Sequence, residues 1–191
     1  MFLTRTMSKG GIVKINKDGD VTLKIYIKTK DKEGNFMGEE LLPFESETSS
    51  YCHPTLSEDG RKLYFSSNMP GGFGGMDLWM TRKMKNDEWS QPINLGARVN
   101  TSKNELFPFI SQKGMLYFSS NGRLDAKGGL DLYRIDIENR TARTFSMLDA
   151  FNSDGDDFGL MFLPQNEHKG YFSSNRAGGA GGDDIYEFEI K

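Results

Sequence analysis

Cysteine is almost absent from this chain. Cys52 stands alone, so no intrachain disulfide can form, and the redox compartment stays open on that count. Histidine is nearly as scarce, with only His53 and His168. No second His or Cys lies at metal-ligand spacing from His168, and Cys52 and His53, as neighbours in a strand, would face opposite sides. No metal and no cofactor are therefore expected. Long hydrophobic runs are missing as well: the longest are a few residues, against the roughly 20 that a spanning helix needs, which excludes a direct membrane span. Clustered basic charge is also missing. With 24 Lys and Arg against 27 Asp and Glu, the formal net charge is −3 and no basic stripe forms, so nucleic acid is excluded as a partner. The opening Met1-Phe2-Leu3-Thr4-Arg5 has neither the basic start nor the apolar stretch of a secretion signal, so either export is absent or a leader lies upstream.

What the chain does have is aromatic residues and glycine: 14 Phe, seven Tyr and two Trp beside 22 Gly. Aromatics suit a pleated, half-buried surface and Gly supplies positive φ, so the composition predicts many short strands joined by tight turns. A repeat makes this concrete. Leu63-Tyr64-Phe65-Ser66-Ser67-Asn68, Leu116-Tyr117-Phe118-Ser119-Ser120-Asn121 and Gly170-Tyr171-Phe172-Ser173-Ser174-Asn175 superimpose, with their asparagines at positions 68, 121 and 175. Each is followed by a glycine-rich loop and then by Asp77-Leu78-Trp79, Asp131-Leu132-Tyr133 or Asp184-Ile185-Tyr186. A weaker copy lies upstream, with Phe2-Leu3-Thr4-Arg5-Thr6 in the first slot and Lys24-Ile25-Tyr26-Ile27 in the second.

Self-similarity at a fixed period of about 53 residues indicates units that cover their apolar faces only by packing on one another. Four strands are expected per unit: a over 107–111, b over 115–119, c over 131–135 and d over 143–148. Short turns such as Ser57-Glu58-Asp59-Gly60 separate a from b. The predicted fold is all-β, a β-propeller made of four-stranded antiparallel blades. A single domain over 1–191 would hold repeats at about 1–50, 51–104, 105–157 and 158–191. The outer repeats hold only b, c, d and a, b, c, so the expectation is a stretch of a larger propeller.

The string from Ser57 through Trp79, with its Ser-Ser-Asn and Gly-Gly-x-Gly-Gly-x-Asp-Leu-Trp, resembles the TolB-type WD40-like propeller repeats. The Ser-Ser-Asn-Arg-x-Gly-Gly form from Ser173 to Gly179 is similar to propeller domains of bacterial OmpA-family envelope proteins, including a peptidoglycan-associated component of the type IX secretion system. The resemblance is strong over 55–191. In the first repeat Thr6 replaces the Asn, Lys24 replaces the Asp, and a hairpin-like insertion over 8–22 replaces the glycine loop. The resemblance implies a periplasmic, outer-membrane-associated, non-enzymatic scaffold.

Several motifs invite chemical readings. Asp77, Asp131 and Asp184 resemble catalytic carboxylates, but their equivalence across repeats spreads them around a ring, whereas a glycosidase pair stands roughly 5 to 10 Å apart. Together with Asn68, Asn121 and Asn175 they are read as structural, with each Asp holding its loop through hydrogen bonds. Ser57-Glu58-Asp59-Gly60 resembles half of a sialidase Asp box, itself a folding turn. The Asn152 to Asp157 and Asn16 to Asp20 loops lack the Glu that a calcium hand needs at its twelfth position, which is Leu163 and Ile27 here. The glycine loops precede strands rather than helices, so they are not read as phosphate cradles.

In such blades the b-to-c and d-to-a connections open on one face, and here they are the longer, more variable set. Partners are expected on that face, through Phe73, Arg123, Asp125, Asp154, Asp156 and Arg176. The leading expectation is a non-catalytic protein-binding scaffold at the cell envelope. Its partners would be other envelope proteins, and glycan or peptidoglycan reached through a neighbouring domain. The alternatives are a carbohydrate-active propeller enzyme of glycosidase or sialidase type, a peptidase propeller, or a glycan-binding module.

Overall fold

The computed structural model describes residues 1–191 except 7, 10, 11, 14, 16–18, 20, 148, 149, 165 and 191, and the side chains of 8, 9, 12 and 13. The 16–20 turn and the end of the expected strand d therefore lie outside the described residues. The motif strings become strands. The first sheet pairs β1 (Phe2–Thr6), β4 (Leu23–Lys30) and β5 (Phe36–Leu41) in that order. Between β1 and β4, β2 (Ser8–Lys9) and β3 (Ile12–Val13) form the hairpin of the insertion.

Two four-stranded sheets follow, β6 (Tyr51–Leu56) to β9 (Ile93–Asn94) through β7 (Lys62–Ser67) and β8 (Asp77–Arg82), and β10 (Glu105–Ile110) to β13 (Phe145–Ser146) through β11 (Met115–Ser120) and β12 (Asp131–Asp136). The last sheet orders β14 (Asp157–Leu163), β15 (Asn166–Ser174) and β16 (Asp184–Glu189). Every pairing is antiparallel between sequence neighbours within its sheet. The sheets are blade-like units arranged side by side rather than a closed ring.

The repeat strings are apolar on both faces because both faces are covered. Leu63 and Phe65 of β7 pack toward the first sheet with Ile25, Leu42, Tyr51 and Trp79, while Tyr64 joins Leu116, Phe118, Tyr133 and Ile135 on the other side. Tyr117 of β11 turns the opposite way, to Leu160, Phe162 and Phe172. Three core layers thus lie between four sheets. Each fully buried large apolar side chain contributes roughly 1.5–3 kcal/mol, and Ser66, Ser67, Ser119, Ser120 and Ser174 of the motif are buried beside them. The outermost strand β16 alternates half-buried and exposed residues, as one covered face requires.

Two strands differ from expectation. The inner strand of the third sheet begins at Glu105 rather than 107, because a bulge between Leu106 and Phe109 shifts its register. Among the described residues the outer strand d shrinks to Phe145–Ser146, paired with Tyr133 and Arg134, with one further bond from the Met147 amide to Leu132 O. The a-to-b turn forms as its residues dictate: Asp59 accepts from the Ser57 hydroxyl at 2.6 Å and the Arg61 amide at 3.0 Å, and the Gly60 amide donates to Ser57 O.

Candidate functional site

The first strands β6, β10 and β14 lie next to one another along the inner edge of the array. Each is broken at the same slot by a register shift, between Cys52 and Thr55, Leu106 and Phe109, and Phe158 and Met161. The residue that follows each break adopts positive φ: His53 at 52°, Phe107 at 51° and Gly159 at 65°. For His and Phe this conformation stores strain of roughly 1–3 kcal/mol, held only where the surroundings over-determine it, and such positions cluster at functional sites.

The bulges bring aromatic rings together across sheets. The His53 and Phe107 rings stack with centroids 3.9 Å apart and an interplanar angle of 22°, and Phe158 follows at 5.0 Å from Phe107. The Phe107 amide donates to His53 Nδ1 at 3.4 Å. Burial lowers the imidazole pKa to about 4, so the ring is neutral with its proton on Nε2, the nitrogen left to donate. Burial pushes the neighbouring Cys52 thiol up to about 12, far from thiolate reactivity. A recess of about 280 Å³ opens here, lined by His53, Pro54, Thr55, Phe107, Pro108, Phe109, Gly159, Leu160 and Met161. Its lining is uncharged and mostly apolar, with a few polar groups, and it is a shallow, open depression rather than an enclosed pocket.

The long-loop face is built differently. Asn68 Oδ1 accepts the Ser50 amide at 2.7 Å, Asn121 Oδ1 the Asn104 amide at 3.0 Å, and Asn175 Oδ1 the Asp156 amide at 2.6 Å. Ser50, Asn104 and Asp156 pass the link on, accepting from the Leu23, Met76 and Leu130 amides of the preceding sheet. The motif asparagines thus hold Ser50, Asn104 and Asp156, and these three are the staples between sheets. The aspartates hold their own loops: Asp77 accepts from the Phe73 and Gly74 amides, Asp131 from Lys127 and Gly128, and Asp184 from Gly181. Burial raises the Asp131 carboxyl above the ordinary carboxylate range, with the Lys127 and Gly128 amides pulling it back.

The six residues expected to contact partners divide. Phe73, Asp125 and Asp154 are exposed, with Asp125 accepting from the Tyr133 hydroxyl at 3.3 Å. Arg123 and Arg176 are half-buried. Arg123 lies over Phe118 and Tyr133 and donates to Val99 O, and Arg176 lies over Phe172 and Tyr186 and bonds Asp157 at 2.6 Å. Asp156 is the staple already described. The Asn152 loop spends its oxygens in the same way, with Asn152 on both backbone groups of Leu132 and Asp157 on Ser153 and Arg176. Among the described residues no three His, Cys, Asp or Glu side chains gather as metal ligands.

Sequence reasoning passed over the inner strands. Their signal was modest: Cys52-His53-Pro54 and Leu106-Phe107-Pro108 fall one repeat apart, but the third copy, Phe158-Gly159-Leu160, has neither the aromatic nor the proline in place.

No protein-family model matches this chain, and no curated protein matches it. Solved structures do. An endo-arabinase from Bacteroides thetaiotaomicron superimposes with a TM-score of 0.55 at 14% identity, over 100% of this chain and 70% of that one. An α-L-arabinofuranosidase from Lactobacillus brevis gives 0.56 at 8% identity, over 98% of this chain and 68% of that one. A prolyl oligopeptidase from Galerina marginata gives 0.53 at 15% identity over 98% of this chain, which spans 24% of the peptidase's length.

At these identities the likeness is one of fold: an all-β array of antiparallel propeller-type sheets. It corrects one expectation. The chain was expected not to be an enzyme, yet solved structures that share its architecture, an endo-arabinase and an arabinofuranosidase among them, are enzymes by name. Equivalent aspartates in a scaffold role were taken to argue against catalysis, but they leave the inner strands unaddressed, and those strands carry the strained site.

Proposed function

We propose that this chain is part of a carbohydrate-active propeller, and that the recess on β6, β10 and β14 holds a neutral sugar. The observation that carries the reading is the uncharged aromatic recess built on strained backbone. Rings supply apolar surface to the face of a sugar, and the His53 Nε2–H supplies a donor to its hydroxyls. The fold shared with an endo-arabinase and an arabinofuranosidase supports it. A sialidase-type anionic substrate fits less well, because no cation lines the recess and Arg123 and Arg176 are engaged between loops.

Glycosidic hydrolysis uses two carboxyl groups, roughly 5 to 10 Å apart in retaining and inverting enzymes. The acids that open the inner strands are Glu105 and Asp157. Both are buried, Glu105 bonded to Thr101 and Ser120 and Asp157 to Ser153 and Arg176, so they are assigned to positioning. The test is a panel of neutral and anionic oligosaccharides, scored for calorimetric binding and for release of reducing ends. Binding of neutral members that Phe107→Ala weakens at least tenfold supports the reading, and binding confined to anionic members rejects it. The repeat's resemblance to TolB-type propellers favours a cell-envelope setting, which fractionation of the native host checks.

A further inference from the structure

The recess meets a bare backbone at one of three equivalent positions. His53, Phe107 and Gly159 occupy the same slot of successive inner strands, each just past the register shift and each at positive φ. The backbone angle of 65° at Gly159 favours glycine, yet His53 and Phe107 hold 52° and 51° in the sister strands at the cost of strain, so a side chain can be carried there. Close packing does not demand a glycine at Gly159, since a Cβ built there would meet nothing nearer than Ser173 Oγ at 4.0 Å. Elsewhere in the chain the contrast is plain: a Cβ on Gly74 would sit 2.5 Å from the Ser102 carbonyl carbon. At Gly159 the missing side chain leaves open space, and that space belongs to the 280 Å³ recess.

We infer that Gly159 is a specificity-determining residue: its lack of a side chain leaves the floor of the recess open to one neutral sugar ring. The inference rests on the sugar-binding reading above. Size supports a single ring, because 280 Å³ falls just under the roughly 300 Å³ at which drug-sized pockets begin. Charge supports a neutral one, because the walls are Thr55, Phe109, Leu160 and Met161 beside a neutral imidazole. The ring would lie over Gly159, between Phe109 and Met161 of the lining.

The test compares wild type with Gly159→Phe and Gly159→Ser, using arabinotriose and cellotriose as neutral probes and sialyllactose as the anionic control. Phe is carried at this backbone geometry in the sister strand, so Gly159→Phe is expected to fold with a melting temperature lowered by the strain of the left-handed backbone, while losing at least tenfold in affinity for the neutral probe that wild type prefers. Gly159→Ser, which adds two heavy atoms, is expected to lose a few-fold and to change the ratio between the two neutral probes. If Gly159→Phe fails to fold, the Ser variant decides alone. Unchanged affinity and unchanged probe ratio in the variants overturn the inference and leave sugar binding standing. Failure of wild type to bind either neutral probe overturns both.

Discussion

At the scale of the residue, the two arginines that first read as surface contacts work as mortar. Arg176 places its guanidinium between Phe172 and Tyr186, donates to Phe151 O at 2.5 Å and pairs with Asp157, whose side chain is 0% exposed. Removing it leaves a buried carboxylate without its counter-charge. Arg176→Ala should therefore cost about 3–5 kcal/mol in denaturant unfolding, whereas Arg176→Ala with Asp157→Asn should recover part of the loss. His53 and Glu45 make opposite predictions in pH. His53 is lowered to about 4 by burial, so its contribution is full above the unfolded value near 6.5 and is lost as pH falls through 4. Glu45 is raised to about 8 by burial, against the pull of the Ile25 amide and of Lys24, so its contribution is full below about 4.5 and is lost as pH rises through 8. Urea midpoints followed from pH 4 to 9 should show both slopes, with His53→Gln flattening the acid limb and Glu45→Gln the alkaline one.

At the scale of the element, much was legible and one device was not. The recurring Leu-Tyr-Phe-Ser-Ser marks the second strand of a unit because its residues are buried on both faces, and the tripeptide beginning at Asp77, Asp131 or Asp184 marks the third. Pattern alone locates such strands. The motif asparagines were legible as structural, but their bonds were not: the Asn104 amide and side chain join Asn121 to Met76 across two sheets, a relation that exists only after folding. Least legible was the inner slot, because positive φ at His53 and Phe107 runs against the ordinary preference of both residues. In blade one Lys24 stands where Asp77 stands in the next, and Glu45 bonds the Ile25 amide as Asn100 bonds Leu78, so the same places are filled with exchanged chemistry. Asn104→Ala and Asn121→Ala should each cost about 1–2 kcal/mol and be less than additive. Faster amide exchange at Met76 is the local readout in Asn104→Ala.

At the scale of the whole molecule, stability resides between sheets rather than within them. Phe118 is fully buried in the layer shared by the second and third sheets, with Tyr64, Leu78, Met80 and Leu116. Phe118→Ala should cost about 3–5 kcal/mol and expose both neighbouring sheets to proteolysis, whereas Phe145→Ala, at an exposed position of the outer strand, should leave the urea midpoint nearly unchanged. The antiparallel plan of the sheets was readable because the same string recurs in successive units. How they meet along the inner edge was not, because the aromatic contacts there join residues about 50 positions apart: His53, Phe107 and Phe158.

Because the cross-sheet contacts run between successive sheets, the molecule has an order of mechanical failure. Stretched from its two ends in an optical trap, it should come apart as a zipper with coarse teeth, the half-covered sheet containing β16 detaching early. Each complete repeat set free would lengthen the tether by roughly 18 nm, the contour of about 53 residues. A single rip releasing the whole chain at once would mean that the layers fail together.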